Sequence, residues 1–331
     1  MGDGASRRSE GTGASFAFSA PVAQAERMTI SKLGVIWNPS KIDEDKLRTA
    51  VSDTFTSEVE WWETSVEDPG RGMAELAVEA GCDVVVAVGG DGTVRAVAEA
   101  LAGTDTALGI VPQGTGNLLA RNLEVPLNDI PAALRRVRDG EPRKIDVGWV
   151  DHDGTEHAFV VMVGFGIDAQ MLVETDDDLK DKAGWLAYVE AMGRALAGTE
   201  MTDITVTLDD GDAQEMRGHT MLIGNCGMVQ GGIRLLPDAV LDDGLLDILL
   251  VSADGPLQWL DTVRSFVWEN GIRRILGSVD EAVSTDSTRH ISAERATIEL
   301  SSPLAFEIDG EEVGEVTSFS VRVQPAALTV R

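Results

Sequence analysis

The stretch VVVAVGGDGTVRAVAEAL, Val84–Leu101, decides the fold. Val84–Val88 is apolar at every position, without alternation, which marks a strand buried on both faces. The run stops at Gly-Gly-Asp-Gly-Thr, Gly89–Thr93, and a helical pattern follows over Val94–Leu101. Three glycines, at 89, 90 and 92, leave out the Cβ atoms that would keep an anion from backbone N–H groups. The helix that follows turns its positive end toward that loop, and Thr93 adds a hydroxyl. Asp91 is the odd member, because a carboxylate beside a phosphate is repulsive unless Mg²⁺ or a substrate hydroxyl lies between. A plain strand-to-helix turn is the competing reading. Asp-Gly alone does not separate the two: such pairs begin at Asp3, Asp91, Asp139, Asp153, Asp210, Asp243, Asp254 and Asp309, and most are expected to be ordinary turns.

Outward from this point the pattern alternates. KLGVIWNPS reads as a strand entering a turn, Asp43–Phe55 as a helix, Val59–Thr64 as a strand and Arg71–Ala80 as a helix. Beyond Leu101, ALGIVPQG is a strand and Asn117–Asn122 opens a helix. The βαβα order predicts a parallel sheet covered on both faces. After about Lys144 the style changes. HAFVVMVG, DITVTLDD, HTMLIGNC, LLDILLVS, ATIELSS, LAFEIDG and SFSVRVQP are strand-like runs separated by turn residues, with helical patterns only at Leu179–Ala197 and Leu257–Leu276. The fold class expected is an α/β domain with a parallel sheet plus a mostly antiparallel, β-rich second domain.

Composition narrows the function. The 331 residues are 43% hydrophobic and 25% charged, as in an ordinary globular protein, and the net charge is −29 from 56 acidic and 27 basic residues. Such a surface repels nucleic-acid phosphate and disfavours broad adsorption to anionic lipid. No apolar run approaches the roughly 18 residues that span a bilayer, and a cytoplasmic location is expected. Cys82 and Cys226 sit in apolar sequence and read as buried free thiols. The four histidines have no metal-ligand spacing. Residues 1–27, rich in Gly, Ser and Ala, read as a disordered tail. Their short apolar patch before Ala-x-Ala only faintly resembles a secretory signal.

A second glycine-rich stretch, VPQGTGNLLARNL, places Gly114, Thr115, Gly116 and Asn117 at another strand end before a helix. In open parallel sheets ligands bind at the carboxyl ends of strands, so two such loops converge on one crevice. No Gly-x4-Gly-Lys-Ser/Thr loop occurs, which disfavours a P-loop enzyme. GFGIDA, Gly164–Ala169, fits a relaxed dinucleotide fingerprint but has no βαβ unit around it and reads as a turn.

GGDGT at Gly89–Thr93, GTGN at Gly114–Asn117 and WNPSK in the first strand together resemble the diacylglycerol kinase catalytic family, which includes bacterial lipid kinases and sphingosine and ceramide kinases. VGFGIDA, LLPDAVLDDGLLDI (Leu235–Ile248) and EIDGEE (Glu307–Glu312) extend the resemblance over nearly all of Met28–Arg331. NAD kinases share only the first half. The resemblance implies ATP and a lipid hydroxyl meeting in a cleft between an ATP-binding domain, 28–144 with the last strands at about 316–331, and a lipid-substrate domain, 145–315. Asn38, Thr64, Gly89, Gly90 to Ala96 (with Asp91, Gly92 and Thr93), Gly114, Thr115 and Asn117 would line the nucleotide site. A structural Mg²⁺ would be held by the Asp243 carboxylate and backbone oxygens at Val240 and Leu245; without the resemblance, Asp242–Gly244 reads as a hairpin turn.

The acids of IDGEE are the candidates for the base that takes the hydroxyl proton, a role typically worth about 10²- to 10⁴-fold. Asp309 and Glu311 are two apart and share a face on a continued strand, whereas a turn at Gly310 breaks that relation and reads equally well. Glu311 is slightly favoured as acceptor, with Asp309 orienting it or binding metal, and Asp91 completes the catalytic set. Many bacterial members carry Asp after the GTGN asparagine; here it is Leu118, which puts more on Asp91. The expected activity is ATP- and Mg²⁺-dependent phosphorylation of diacylglycerol or a related lipid at a membrane surface. A sphingoid base, ceramide or NAD is the alternative acceptor, and a catalytically silent nucleotide- or lipid-binding regulator the alternative class. A homo-oligomer is left open. Pro256–Gly277, with Trp259, Phe266 and Trp268 beside Arg264, Arg273 and Arg274, reads as a core-packing helix with interfacial docking as its alternative. Arg135–Lys144 reads as a solvated helix end.

Overall fold

A computed structural model describes residues 30–166, 201–229, 234–252 and 288–331. The tail 1–27, the helical patterns at 179–197 and 257–276, and GFGIDA beyond Gly166 lie outside the described residues.

Four short strands form the parallel part: β1 (Lys32–Trp37), β2 (Glu58–Glu63), β3 (Val84–Gly89) and β4 (Ala107–Pro112). They lie in the order β2-β1-β3-β4. The chain therefore reverses its direction of travel between β1 and β3, and a crevice opens there at the carboxyl ends of the strands. Every residue of β3 and β4 is buried, each valine contributing about 1.5–3 kcal/mol.

The connecting helices are α1 (Glu44–Thr54), α2 (Arg71–Glu79), α3 (Asp91–Leu101), α4 (Leu118–Asn122) and α5 (Ile130–Asp139). Capping explains where two of them begin: Asp43 accepts from Lys46 N–H and Asp129 from Ala132 N–H. α3 starts at Asp91, three residues before the helix expected from its apolar pattern. Only Gly90, extended at φ −89° and ψ −171°, is left as the cap. Most of the expected loop is thus the helix's first turn, where the Asp91 carboxylate suits the positive end.

The remaining strands are β5 (Arg143–His152), β6 (Thr155–Phe159), β7 (Met162–Phe165), β8 (Thr202–Leu208), β9 (Gln214–Gly218), β10 (Thr220–Gly224), β11 (Leu246–Val251), β12 (Thr288–Ala293), β13 (Arg295–Ile308) and β14 (Glu311–Val330). Their pairings with one another are antiparallel. All fourteen strands join in one mixed sheet, because β14 pairs with β13 and β5 and meets β4 in parallel at Val330 and Leu108. A second core, with Phe159, Phe165, Phe306 and Ile308 at 0–1% exposure, fills the β-rich part. The architecture is therefore an N-terminal α/β domain carrying the parallel strands and a C-terminal β-rich domain.

The β13–β14 connection is a two-residue turn. Asp309 and Gly310 have φ of 49° and 84°, and Ile308 pairs with Glu311. Positive φ at both positions is the hairpin geometry that Asp-Gly favours. Asp309 and Glu311 are therefore not neighbours on one strand face; the turn separates them.

Candidate active site

A cleft of about 420 Å³ lies at the crevice, walled by both glycine-rich segments and by the β13–β14 turn. Asn38, Gly90, Asp91, Gly92, Thr93, Gly114, Thr115, Asp309 and Glu311 all line it. Asn38 follows β1, and its N–H donates to Val88 O at 3.0 Å, which ties it to the end of β3. Its Oδ1 accepts from Ser40 N–H and Oγ–H.

The two glycine segments touch directly. A Cβ on Gly114 would stand 2.7 Å from Gly90 Cα, and one on Gly90 would stand 3.4 Å from Gly114 Cα. Backbone meets backbone, so neither can yield by a side-chain rotation. Gly114→Ala is expected to cost about 1–3 kcal/mol by overpacking as the segments part; thermal unfolding checks it. The N–H groups of Gly92 and Thr93 precede the first intrahelical bond of α3, from Val94 N–H to Gly90 O. They are the unshared donors of a helix N-terminus, facing a glycine-lined space.

Asp91 clamps the two segments. Its Oδ2 accepts from Asn117 N–H at 2.7 Å and its Oδ1 from Leu118 N–H at 2.5 Å. Burial pushes its pKa up, and these two bonds pull it back. The residue standing where many relatives carry an acid, Leu118, thus takes part through its amide. Asn117 closes the second segment on itself, Oδ1 accepting from Gly114 N–H and Nδ2 donating to Gly114 O, at φ 48°. Asn117, Gly89 and Thr64 support the cleft rather than line it. Gly89 makes room for Thr93, whose Cβ and Oγ1 would stand 2.7 Å from a Cβ there. Thr64 is buried and its N–H donates to Trp37 O.

Opposite, the Asp309 carboxylate is 3% exposed. Its Oδ2 accepts from Val160 N–H and its Oδ1 from Val161 and Met162 N–H, each at 2.9 Å. Burial raises its pKa to about 6 against the pull of these amides and of the Arg95 guanidinium. Glu311 is half exposed and bonds Arg95 Nη2 at 2.5 Å. Its Oε1 crowds the place a Cβ would occupy on Gly92.

Sequence reading passed over several residues here. Lys41 and Pro69 line the nucleotide side, and Met162, Val163, Leu222, Val229 and Leu235 give the cleft an apolar wall from the β-rich side. No local pattern unites those five, which the sheet gathers from β7, β10 and the loops beyond. Lys41 stands inside the quoted NPSK and was legible as a cation next to a phosphate loop.

The expected metal residues lie elsewhere. Asp243 Oδ1 accepts from Leu245 N–H at 3.0 Å, and Val240 is 45% exposed. Buried Asp146 organises this turn, its Oδ2 accepting from Gly244 N–H and its Oδ1 from Ala326 N–H. Asp243 and Asp238 add to the burial that raises the pKa of Asp247 to about 6. Asp242 in the same turn is paired with Arg143, which leaves the Asp243 carboxylate as the turn's oxygen donor of the type that Mg²⁺ takes. Among the described residues no three or more His, Cys, Asp or Glu side chains cluster as a metal site.

Comparison with known proteins gives the family and the fold. Residues 32–150 match the diacylglycerol kinase catalytic domain, and residues 161–331 match the YegS C-terminal NAD kinase beta sandwich-like domain. A protein of Stenotrophomonas maltophilia named "Probable lipid kinase YegS-like" is 36% identical over 68% of this chain and 74% of its own length. One of the same name from Pectobacterium atrosepticum is 31% identical over 90% and 94%. In fold, a solved diacylglycerol kinase structure from Bacillus anthracis superposes with a TM-score of 0.65 at 20% identity, covering 91% of this chain and 96% of that one.

Proposed function

From the premise that this chain belongs to the diacylglycerol kinase family of lipid kinases, we propose that it transfers the γ-phosphoryl group of ATP to the hydroxyl of diacylglycerol or a related lipid. The observation that carries this reading is the junction of a glycine-lined helix N-terminus, a buried carboxylate and an apolar wall in one cleft. The α/β part, 28–144 with 316–331, takes the nucleotide, and 145–315 takes the acceptor.

The triphosphate lies along Gly90–Thr93 and Gly114–Thr115, where the N–H groups of Gly92 and Thr93 and the ammonium of Lys41 meet its charge. Asn38 and Thr64 bound the same end. The apolar wall receives the glycerol and upper acyl region of the lipid and excludes water. As the acceptor oxygen bonds the γ-phosphorus, the bond from that phosphorus to the β,γ-bridging oxygen breaks and ADP leaves. The acceptor proton passes to a carboxylate. Asp309 is the acceptor proposed here in place of Glu311, which the sequence favours: burial makes the Asp309 carboxylate a stronger base, whereas the Glu311 carboxylate is taken up by Arg95. Asp91 contributes by holding the two phosphate segments together.

When bound, Mg²⁺ supplies neutralisation of phosphate charge. A structural ion fits the Asp243 carboxylate with the backbone oxygens of Val240 and Leu245. In this reading the enzyme works at the cytoplasmic face of a membrane as a peripheral protein, reaching its lipid acceptor there.

The test offers labelled ATP and Mg²⁺ with diacylglycerol, a sphingoid base, ceramide and NAD in parallel. Labelled lipid phosphate is the expected product. Label found only in NAD contradicts the lipid reading, and ATP binding without transfer to any acceptor makes the protein a silent regulator.

A further inference from the structure

We propose that Arg95 is a positioning residue for phosphoryl transfer: through Glu311 it ties the phosphate-binding helix α3 to the β13–β14 turn and so sets the distance between the phosphates and Asp309. This rests on the kinase reading above and adds a residue to it.

The geometry is a strut across the cleft. Arg95 lies one turn into α3, beyond Gly92 and Thr93, whose N–H groups face the phosphate space. Glu311 is the first residue of β14, immediately after the turn that carries Asp309. One hydrogen-bonded ion pair of 2.5 Å, Arg95 Nη2 to Glu311 Oε2, joins the two elements. The arginine side chain is only 15% exposed, whereas its glutamate partner is half exposed, so the pair lies at the cleft rim with the guanidinium on its inner side. Its Nε is buried and has no hydrogen-bond partner among the described residues. Glu311 is the hydrogen-bonded partner of the guanidinium, and the Asp309 carboxylate lies within its field.

Contact on the other side completes the clamp. Glu311 Oε1 rests against the Gly92 backbone where any side chain would stand. The glutamate is held between the first turn of α3 and the arginine one turn later. Asp309 is fixed from behind, by three amides of residues 160–162 and by its own N–H to Met162 O at 2.8 Å. The base is therefore rigid within the β-rich domain; α3 meets that domain at Glu99, which accepts from Ala158 N–H, and the strut adds the tie at the turn that carries Asp309 itself. Transfer needs the reacting atoms about 3–3.5 Å apart and aligned, and small displacements cost heavily.

The test measures kcat, acceptor KM and ATP Kd for Arg95→Gln, Arg95→Lys, Glu311→Gln and the double variant Arg95→Gln/Glu311→Gln, with labelled ATP, Mg²⁺ and diacylglycerol in mixed micelles. Each Gln variant is expected to lose about 10-fold or more in kcat, with ATP Kd within about twofold of wild type. The double variant falls no further than the worse single one, because both break the same strut. Arg95→Lys recovers part of the loss. Unchanged kcat in Arg95→Gln, multiplied losses in the double variant, or ATP affinity falling in step with kcat would each overturn the proposal. Should Arg95→Gln fail to fold, Glu311→Gln placed on Arg95→Lys carries the same comparison. A wild type that transfers to no acceptor overturns the kinase reading itself, and is told apart from an active wild type indifferent to Arg95.

Discussion

Asp309→Asn lowers kcat for transfer to the lipid about 10²- to 10⁴-fold while ATP affinity stays within about threefold of wild type. In the proposed mechanism this carboxylate accepts the proton, and it lines the same cleft as the two glycine segments. An amide in its place keeps the shape and one acceptor oxygen but cannot take the proton. It also turns an NH₂ toward backbone N–H groups that now donate to Asp309, so a modest loss of stability accompanies the loss of rate. The wild-type rate carries the signature of the same group. Its pKa is raised to about 6 by burial; with the ionised form as the proposed base, kcat is expected to be half-maximal near pH 6, to level off about one pH unit above it and to fall below it. Stability runs the other way at this site. The native state binds the proton more tightly than the unfolded chain, so acidification from neutrality toward pH 4 favours the fold through Asp309 while it removes activity. Wild-type kcat in Asp309→Asn, measured with ATP saturating, would move the base to Glu311.

Asp91→Ala is expected to abolish measurable ATP binding at micromolar concentrations and to cost about 2–4 kcal/mol of stability. Two partly buried amides, those of Asn117 and Leu118, lose their acceptor, at about 1–3 kcal/mol each. Relief of the buried charge returns part of that, since burial is the leading cause of the raised pKa. Binding suffers more than folding, because the carboxylate is what holds the second glycine segment against the first. Gly116 shows how close the fit is: a Cβ there would stand 2.8 Å from Asp91 Oδ2. Asp91→Asn retains one acceptor and falls between the alanine variant and wild type. Calorimetric titration with ATP beside thermal unfolding separates the two losses. Unaltered ATP affinity in Asp91→Ala would show that the segments do not need the clamp.

The parallel half was legible because its signals are local. A fully apolar β3 ending in glycine, and the Asp43 cap ahead of α1, each report on neighbours in the chain. The same holds for the Asp309–Gly310 turn, which Asp-Gly chemistry allows and the pairing of Ile308 with Glu311 requires. Polar strands were missed. β9, QEMRG, alternates exposed and buried positions with only Met216 as an apolar marker, and β5 begins Arg-Lys and ends Asp-His. Those strands exist because the sheet supplies partners, which no window of sequence contains. The start of α3 was misjudged for a related reason: Gly-Asp-Gly reads as loop by composition, yet a glycine cap and an aspartate at the positive end also begin a helix. The roles of Asp91, Arg95 and Asp309 were hidden at longer range. Their decisive partners, Leu118, Glu311 and the amides of 160–162, are brought to them only by the assembled sheet. An arginine on an Ala-rich helix ordinarily reads as solvated surface, and nothing near Arg95 in the chain suggests otherwise.

The central claim is that the glycine segments and the β13–β14 turn form one phosphoryl-transfer centre. An experimental structure with Mg²⁺ and a non-hydrolysable ATP analogue tests it most directly. The account predicts the triphosphate against Gly90–Thr93 and Gly114–Thr115, with the γ-phosphorus turned toward the Asp309 carboxylate and the apolar wall of Met162 and Leu222 beyond it. A nucleotide bound away from these segments, or with its γ-phosphate directed out of the cleft and away from Asp309, would contradict it.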